Sequence, residues 1–165
     1  MAKPLPPTPR PLFVYGTLRA LPLLAWALTG DASKTSAVAP LARPATVHGY
    51  ARYAVKHGDY PAAVKHTDDS VIDGCLLLLE TKTQRTKLDD FEGERYTATP
   101  VSVTLDQDGS VVDADMYVWN GDAEDVTRDP WDLDAFVKER LEDWLDLFEG
   151  MELVGEESDD TKQEK

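Results

Sequence analysis

One cysteine, three histidines and no long apolar run leave several kinds of chemistry without the residues they need. Cys75 alone excludes an internal disulfide, and its place in the apolar run from Gly74 to Leu79 reads as a strand position facing a core, not as a nucleophile. His48, His57 and His66 stand nine residues apart in strand and turn country, without the spacing of metal ligands, so no metal site is expected. No stretch approaches the roughly 20 apolar residues that a bilayer span requires, so no membrane partner is expected. Met1 to Pro11 is rich in proline and holds no apolar stretch ahead of a small-residue cleavage site; it does not read as a secretion signal, and the expected compartment is the cytoplasm. Gly-x-Ser-x-Gly, the phosphate loop and the dinucleotide fingerprint are all missing, which argues against serine-nucleophile hydrolysis and against ATP or NAD chemistry.

Basic residues are also few, and the charge is unevenly spread. Residues 122–165 carry 17 acids against five bases, whereas residues 1–121 carry 14 against 12. The net charge of -14 therefore belongs to the C-terminal part of the chain, which reads as a solvated helix face and a disordered tail. Nucleic acid is not an expected partner, because its binding rests on phosphates neutralised by clustered Lys and Arg.

The 165 residues suit one domain with a single core. The expected organisation is a disordered segment over 1–11, a folded domain over 12–150 and an acidic disordered tail over 151–165. Leu12 to Tyr15 reads as a buried first strand stopped at Gly16, and Leu21 to Leu28 as a short helix closed by Gly30. The pattern from Ala37 to Glu80 is strand-like, with Ala45 to Val55 rich in aromatic and β-branched residues, Gly58-Asp59-Tyr60-Pro61 as a break, and a nearly continuous apolar strand from Ser70. Thr83 to Phe91 reads as a helix stopped near Gly93. Tyr96 to Leu105 and Val111 to Trp119 alternate with period two around Asp106-Gln107-Asp108-Gly109, a hairpin signal. Asp129-Pro130 predicts a helix start, after which Leu133, Phe136, Val137, Leu141, Trp144, Leu145 and Phe148 recur at three and four as a packing stripe. The sum is an α+β domain of mainly antiparallel strands.

Two places could carry chemistry. Tyr15-Gly16-Thr17-Leu18 is a turn after a strand, with outward backbone N–H groups and no Cβ on Gly16, an arrangement that suits an anion or a developing oxyanion but also an ordinary tight turn. Glu92 falls in the last turn of a predicted helix, against the negative end of the helix dipole and beside Phe91; both features push a carboxyl pKa upward, toward the range useful to a general base or acid. Glu94 and Asp89-Asp90 are the competing carboxylates, of the kind usually just solvated. Arg19, next to the turn, is a candidate anion contact or a surface residue.

Tyr-Gly-Thr-Leu at 15–18, Gly-Asp-Tyr-Pro at 58–61 and Leu-Asp-Asp-Phe-Glu-Gly-x-x-Tyr at 88–96 together resemble the gamma-glutamylcyclotransferase-like family, which includes gamma-glutamylamine cyclotransferases and avirulence-induced-gene-like proteins. Tyr117-Val118-Trp119 and the Trp-rich helix with Phe136 and Trp144 are most similar to its plant and fungal branch. The resemblance spans roughly residues 12 to 148. It implies a small, mostly antiparallel β-barrel flanked by helices, and an intramolecular reaction in which the α-amine of a gamma-glutamyl group attacks the γ-carbonyl, releasing 5-oxoproline and an amine or amino acid. It further implies Glu92 as the catalytic residue, with Tyr15, Gly16, Thr17, Leu18, Asp59, Tyr60 and Tyr96 binding a small-molecule gamma-glutamyl substrate, and no metal or organic cofactor. Ala98 stands where many members have the arginine of Tyr-x-Arg. A catalytically silent binding or regulatory member, and a barrel recruited to another cyclisation or acyl transfer, are the competing implications.

Overall fold

A computed structural model describes residues 9–56, 60–92 and 95–149. The strands are β1 (Leu12–Val14), β2 (Ala42–His48), β3 (Tyr50–Ala54), β4 (Pro61–Lys65), β5 (Val71–Leu77), β6 (Tyr96–Leu105) and β7 (Val111–Trp119). The helices are α1 (Leu21–Thr29), α2 (Thr35–Val38), α3 (Lys82–Glu92), α4 (Leu133–Glu139) and α5 (Leu141–Glu149). β1, β5, β2, β6 and β7 close in that order into a barrel. Every pairing is antiparallel except β1 with β7, where Leu12 lies opposite Asp115 and Phe13 opposite Met116. The fold is thus the α+β, mostly antiparallel barrel with flanking helices that the motifs implied.

Period two explains the apolar run at the start. Phe13 and Tyr15 join the cluster inside the barrel with Val47, Ile72, Leu76, Val103 and Met116, while Leu12 and Val14 pack outside it beneath α1 and α3. A strand buried on both faces needs no polar alternation. α1 is apolar on nearly every side because its residues from Leu23 to Leu28 are all buried, and it stops at Gly30, as the sequence indicated. The β6–β7 hairpin pairs from Tyr96 opposite Trp119 to Thr104 opposite Val111. Ahead of β1, Pro11 already accepts a hydrogen bond from the Asp115 amide (2.9 Å), and Arg10 pairs with the Asp115 carboxylate at 3.0 Å.

Three local expectations are corrected. Residues 35–41, which overlap the start of the strand-like span at Ala37, form α2 and a 3₁₀ turn. Gly49, at φ 89°, ends β2 and sends β3 and β4 off the barrel as a two-stranded sheet; β4 lies in the strand-like span but starts at Pro61, which the sequence reading places in a break. The C-terminal helix starts at Leu133 with Asp132, not Asp129, as its cap: the Asp132 carboxylate accepts from the Ala135 amide at 3.1 Å. Asp129 is engaged elsewhere, its carbonyl accepting from the Ala54 amide at 2.9 Å, and Val126 forms an antiparallel bridge with Val55. The helix also breaks at Arg140, whose φ of -125° leaves the helical region and divides it into α4 and α5. Among the described residues no helix is long and apolar enough to cross a membrane.

Candidate active site

The site grows from the spacing of α3. Residues at i, i+3 and i+4 share a helix face, so Arg85, Leu88, Asp89 and Glu92 point the same way. Leu88 is fully buried and seats the helix on α1 and the barrel, a contribution of about 1.5–3 kcal/mol. Arg85 locks its orientation: Nε binds the Asp89 carboxylate and Nη1 the Asp115 carboxylate on β7, each at 2.9 Å. Asp89 Oδ1 also accepts from the Tyr117 hydroxyl at 2.6 Å. With α3 held this way, its last residue, Glu92, faces the end of the barrel where β1 gives out.

Opposite stands the turn after β1. Thr17–Arg19 is a single 3₁₀ turn, closed by the Arg19 amide on the Gly16 carbonyl and the Ala20 amide on the Thr17 carbonyl, each at 3.0 Å. Among the described residues no acceptor takes the amides of Gly16, Thr17 or Leu18, as the opening of a helical turn dictates. Gly16 is glycine for a packing reason, since a Cβ there would lie 2.8 Å from the Pro61 ring. Val14, Tyr15, Gly16, Thr17, Leu18, Tyr60, Pro61, Glu92, Tyr96 and Tyr117 enclose a narrow inner pocket of about 20 Å³. It opens past Thr17, Tyr60, Glu92 and Tyr96 into a cleft of about 240 Å³, walled further by Phe91, Arg95 and Trp144.

The tyrosines have distinct jobs. The Tyr15 hydroxyl donates to the Tyr117 carbonyl and accepts from the Ala63 amide at 3.1 Å, so it fastens β4 to the barrel. The Tyr96 hydroxyl donates to the Pro61 carbonyl at 2.8 Å. Burial holds the hydroxyls of Tyr15, Tyr96 and Tyr117 well above the usual phenol range, with the negative charge of Glu92 adding to the effect, so all three remain donors. Glu92 itself is pushed up to about 8, chiefly by burial and secondarily by the charge of Asp89. Among the described residues no donor is bonded to its carboxylate.

Of the residues singled out in the sequence, Tyr15, Gly16, Thr17, Leu18, Tyr60, Glu92 and Tyr96 therefore converge. Asp59, Gly93, Glu94 and His57 lie outside the described residues, as does the acidic tail from 150 onward. Arg19 does not line the pocket; Nη2 lies 3.8 Å from the Asp73 carboxylate, and Nε is buried without a partner among the described residues. Ala98 is exposed on β6 opposite Tyr117, away from the lining. Cys75 is half-buried on β5, and burial pushes its thiol up, away from reactivity. His48 is exposed on β2, and the His66 ring bonds the Ser70 hydroxyl.

Pro61, Phe91, Arg95 and Tyr117 had no local signal that set them apart as lining residues. Its place in the helical stripe assigns Trp144 to core packing. It does pack on Phe136, at 5.0 Å between ring centroids, but it also meets Tyr60 at 6.4 Å and forms a wall of the cleft.

Comparison with known proteins places this geometry. A family model described as gamma-glutamyl cyclotransferase, AIG2-like, matches residues 12–148. Among solved structures, the chain is similar in fold to a protein from Arabidopsis thaliana known in solution, at 23% identity and a TM-score of 0.61, covering 91% of this chain and 86% of that one. A second Arabidopsis thaliana solution structure matches at 19% identity and a TM-score of 0.59, covering 84% and 87%. The crystal structure of an AIG2-like protein from Mus musculus matches at 21% identity and a TM-score of 0.51, covering 76% and 87%. No curated protein matches the chain by sequence.

Proposed function

Because the chain belongs to the gamma-glutamyl cyclotransferase, AIG2-like family, we propose that it cyclises a gamma-glutamyl amine or isopeptide, releasing 5-oxoproline and the free amine. The observation that carries this reading is the Glu92 carboxyl, on a partly buried residue, with no donor bonded to it among the described residues, and set across a small pocket from the open amides of residues 16–18.

The chemistry follows from the charges. The α-amine of the substrate arrives as an ammonium and cannot attack until it loses a proton; its positive charge favours the ionised form of Glu92, which then accepts that proton. The freed amine attacks the γ-carbonyl, forming the ring bond and placing negative charge on the former carbonyl oxygen. Backbone N–H groups at Gly16, Thr17 and Leu18 are the donors suited to an anionic group of the substrate or to this developing charge. Collapse of the intermediate breaks the bond to the leaving nitrogen, which takes the proton from Glu92, while the ring nitrogen gives up its second proton to the restored carboxylate, from which it leaves with the departing amine as an ammonium. One carboxyl thus serves as base and then as acid, and a pKa of about 8 suits it to both steps near neutral pH. Nothing beyond proton and acyl transfer is required, so no metal or organic cofactor enters the proposal. The cytoplasm is the proposed compartment.

Glu92→Gln preserves size and removes the proton acceptor. Release of 5-oxoproline from a panel of gamma-glutamyl compounds should fall by about 10²- to 10⁴-fold in this variant while the fold survives. Full activity in Glu92→Gln would refute the mechanism, and a wild-type chain inactive on the whole panel would favour the silent-binder alternative.

A further inference from the structure

Glu92 and the open amides of residues 16–18 supply the groups that act on the cyclising atoms, but the outer cleft has a chemistry of its own. Beyond Glu92 its walls are Tyr60, Phe91, Tyr96 and Trp144, four aromatic side chains on three different parts of the chain, each only partly buried. Trp144 stands edge-on to Tyr60 on one side, and Tyr96 is backed by Trp119, 5.4 Å away between centroids. Rings left partly open to solvent around one concavity, and held in place by neighbouring rings, favour a flat apolar guest. The cleft, at about 240 Å³, has room for one.

Among the described residues the same walls contain one cation. Arg95 is exposed, and among the described residues no carboxylate pairs with it. Among the described residues no acid lines the outer cleft except Glu92, which is committed to the reaction. A guest that is aromatic on one side and carboxylate-bearing on the other matches this lining; a second cation, such as a free alkylammonium, does not.

We propose that the outer cleft is the leaving-group site and that it selects gamma-glutamyl compounds whose amine portion is an aromatic α-amino acid, its ring against Trp144 and Tyr60 and its carboxylate toward Arg95. This rests on the cyclotransferase reading and narrows it to a substrate class. The ring carries most of the preference, because burying an aromatic side chain is worth more than an ion pair at an exposed arginine.

The test compares 5-oxoproline release from gamma-glutamyl-phenylalanine, gamma-glutamyl-glycine and the gamma-glutamyl amide of phenethylamine. The wild-type kcat/KM for the phenylalanine compound should exceed that for the glycine compound by roughly 10- to 100-fold, and that for the phenethylamine compound by roughly three- to fivefold. Trp144→Ala should collapse the first ratio and Arg95→Gln the second. Ratios near one in the wild type, or ratios that neither variant changes, would overturn the assignment. Calorimetry on Glu92→Gln separates the two levels of the argument if no compound releases 5-oxoproline. Tighter binding of gamma-glutamyl-phenylalanine than of gamma-glutamyl-glycine would then uphold the cleft assignment while the cyclisation reading falls, and equal or absent binding would overturn the cleft assignment as well.

Discussion

Glu92 should make the protein less stable as pH rises, and the size of that effect can be worked out. Its carboxyl titrates near the ordinary 4.5 in the unfolded chain and at about 8 in the folded one. Below about pH 4.5 both states hold the proton and the group contributes nothing to the difference. Between about 4.5 and 8 the unfolded chain ionises while the folded chain keeps the proton, so stability falls as pH rises; above about 8 both are ionised and the loss levels off. At pH 7 the loss is about 3 kcal/mol, from two and a half pH units at about 1.4 kcal/mol each. Glutamine does not titrate, so Glu92→Gln removes this dependence. For a domain of this size the variant should melt roughly 5–10 °C above wild type at pH 7 to 8, with that gap closing toward pH 4.5. Any fixed gain or loss from packing the amide is present at every pH and cancels when the gap at pH 8 is compared with the gap at pH 4.5. Calorimetric melting of both proteins across this range is the assay. A gap independent of pH would show that Glu92 ionises normally in the folded state and would remove the basis for its double role.

Asp89→Asn takes a negative charge from one turn before Glu92, so the acidic limb of kcat/KM for any active substrate should move to lower pH, on the order of one unit for charges about 6 Å apart; an unmoved limb would leave burial as the sole cause. Tyr15→Phe strips the partner from the Tyr117 carbonyl and the Ala63 amide, and urea melts should show a loss of about 1–3 kcal/mol; no loss would mean that the two groups find other partners. Gly16→Ala forces a Cβ into the Pro61 ring, with an expected cost of about 1–3 kcal/mol and weakened binding of 5-oxoproline in calorimetry. Wild-type stability in that variant would show that Pro61 yields freely.

The chain order of barrel and helices was largely legible because its signals are local. The alternation in the β6–β7 hairpin, the Leu88–Phe91 face of α3 and the apolar run of β1 each declare themselves within ten residues. β4 did not: Ala62 and Ala63 favour a strand weakly, and the segment is extended because β3 pairs with it and tyrosine hydroxyls hold it. Asp129-Pro130 carries the same capping signal as Asp132, and only the long-range bond from Ala54 decides between them. At the site, the turn and Glu92 were readable because backbone geometry and helix position set their chemistry. Trp144 packs on the core as its place in the helical stripe indicates, but the stripe shows only which residues share a face and not that part of the face overhangs a cleft.

The small β3–β4 sheet bears on how the chain avoids sticking to itself. A closed barrel exposes no unpaired ladder, but a two-stranded sheet has two open sides, each a template on which another chain could pair. Residues 125–129 run along β3, exchanging bonds between Ala54 and Thr127 or Asp129 and between Lys56 and Asp125. On the other side Pro61 has no amide to offer, and the Tyr96 and Tyr15 hydroxyls occupy the Pro61 carbonyl and the Ala63 amide. The aromatic residues that build the pocket thus also blunt the sheet's free side, so changes to them carry a risk of intermolecular strand pairing separate from any effect on catalysis.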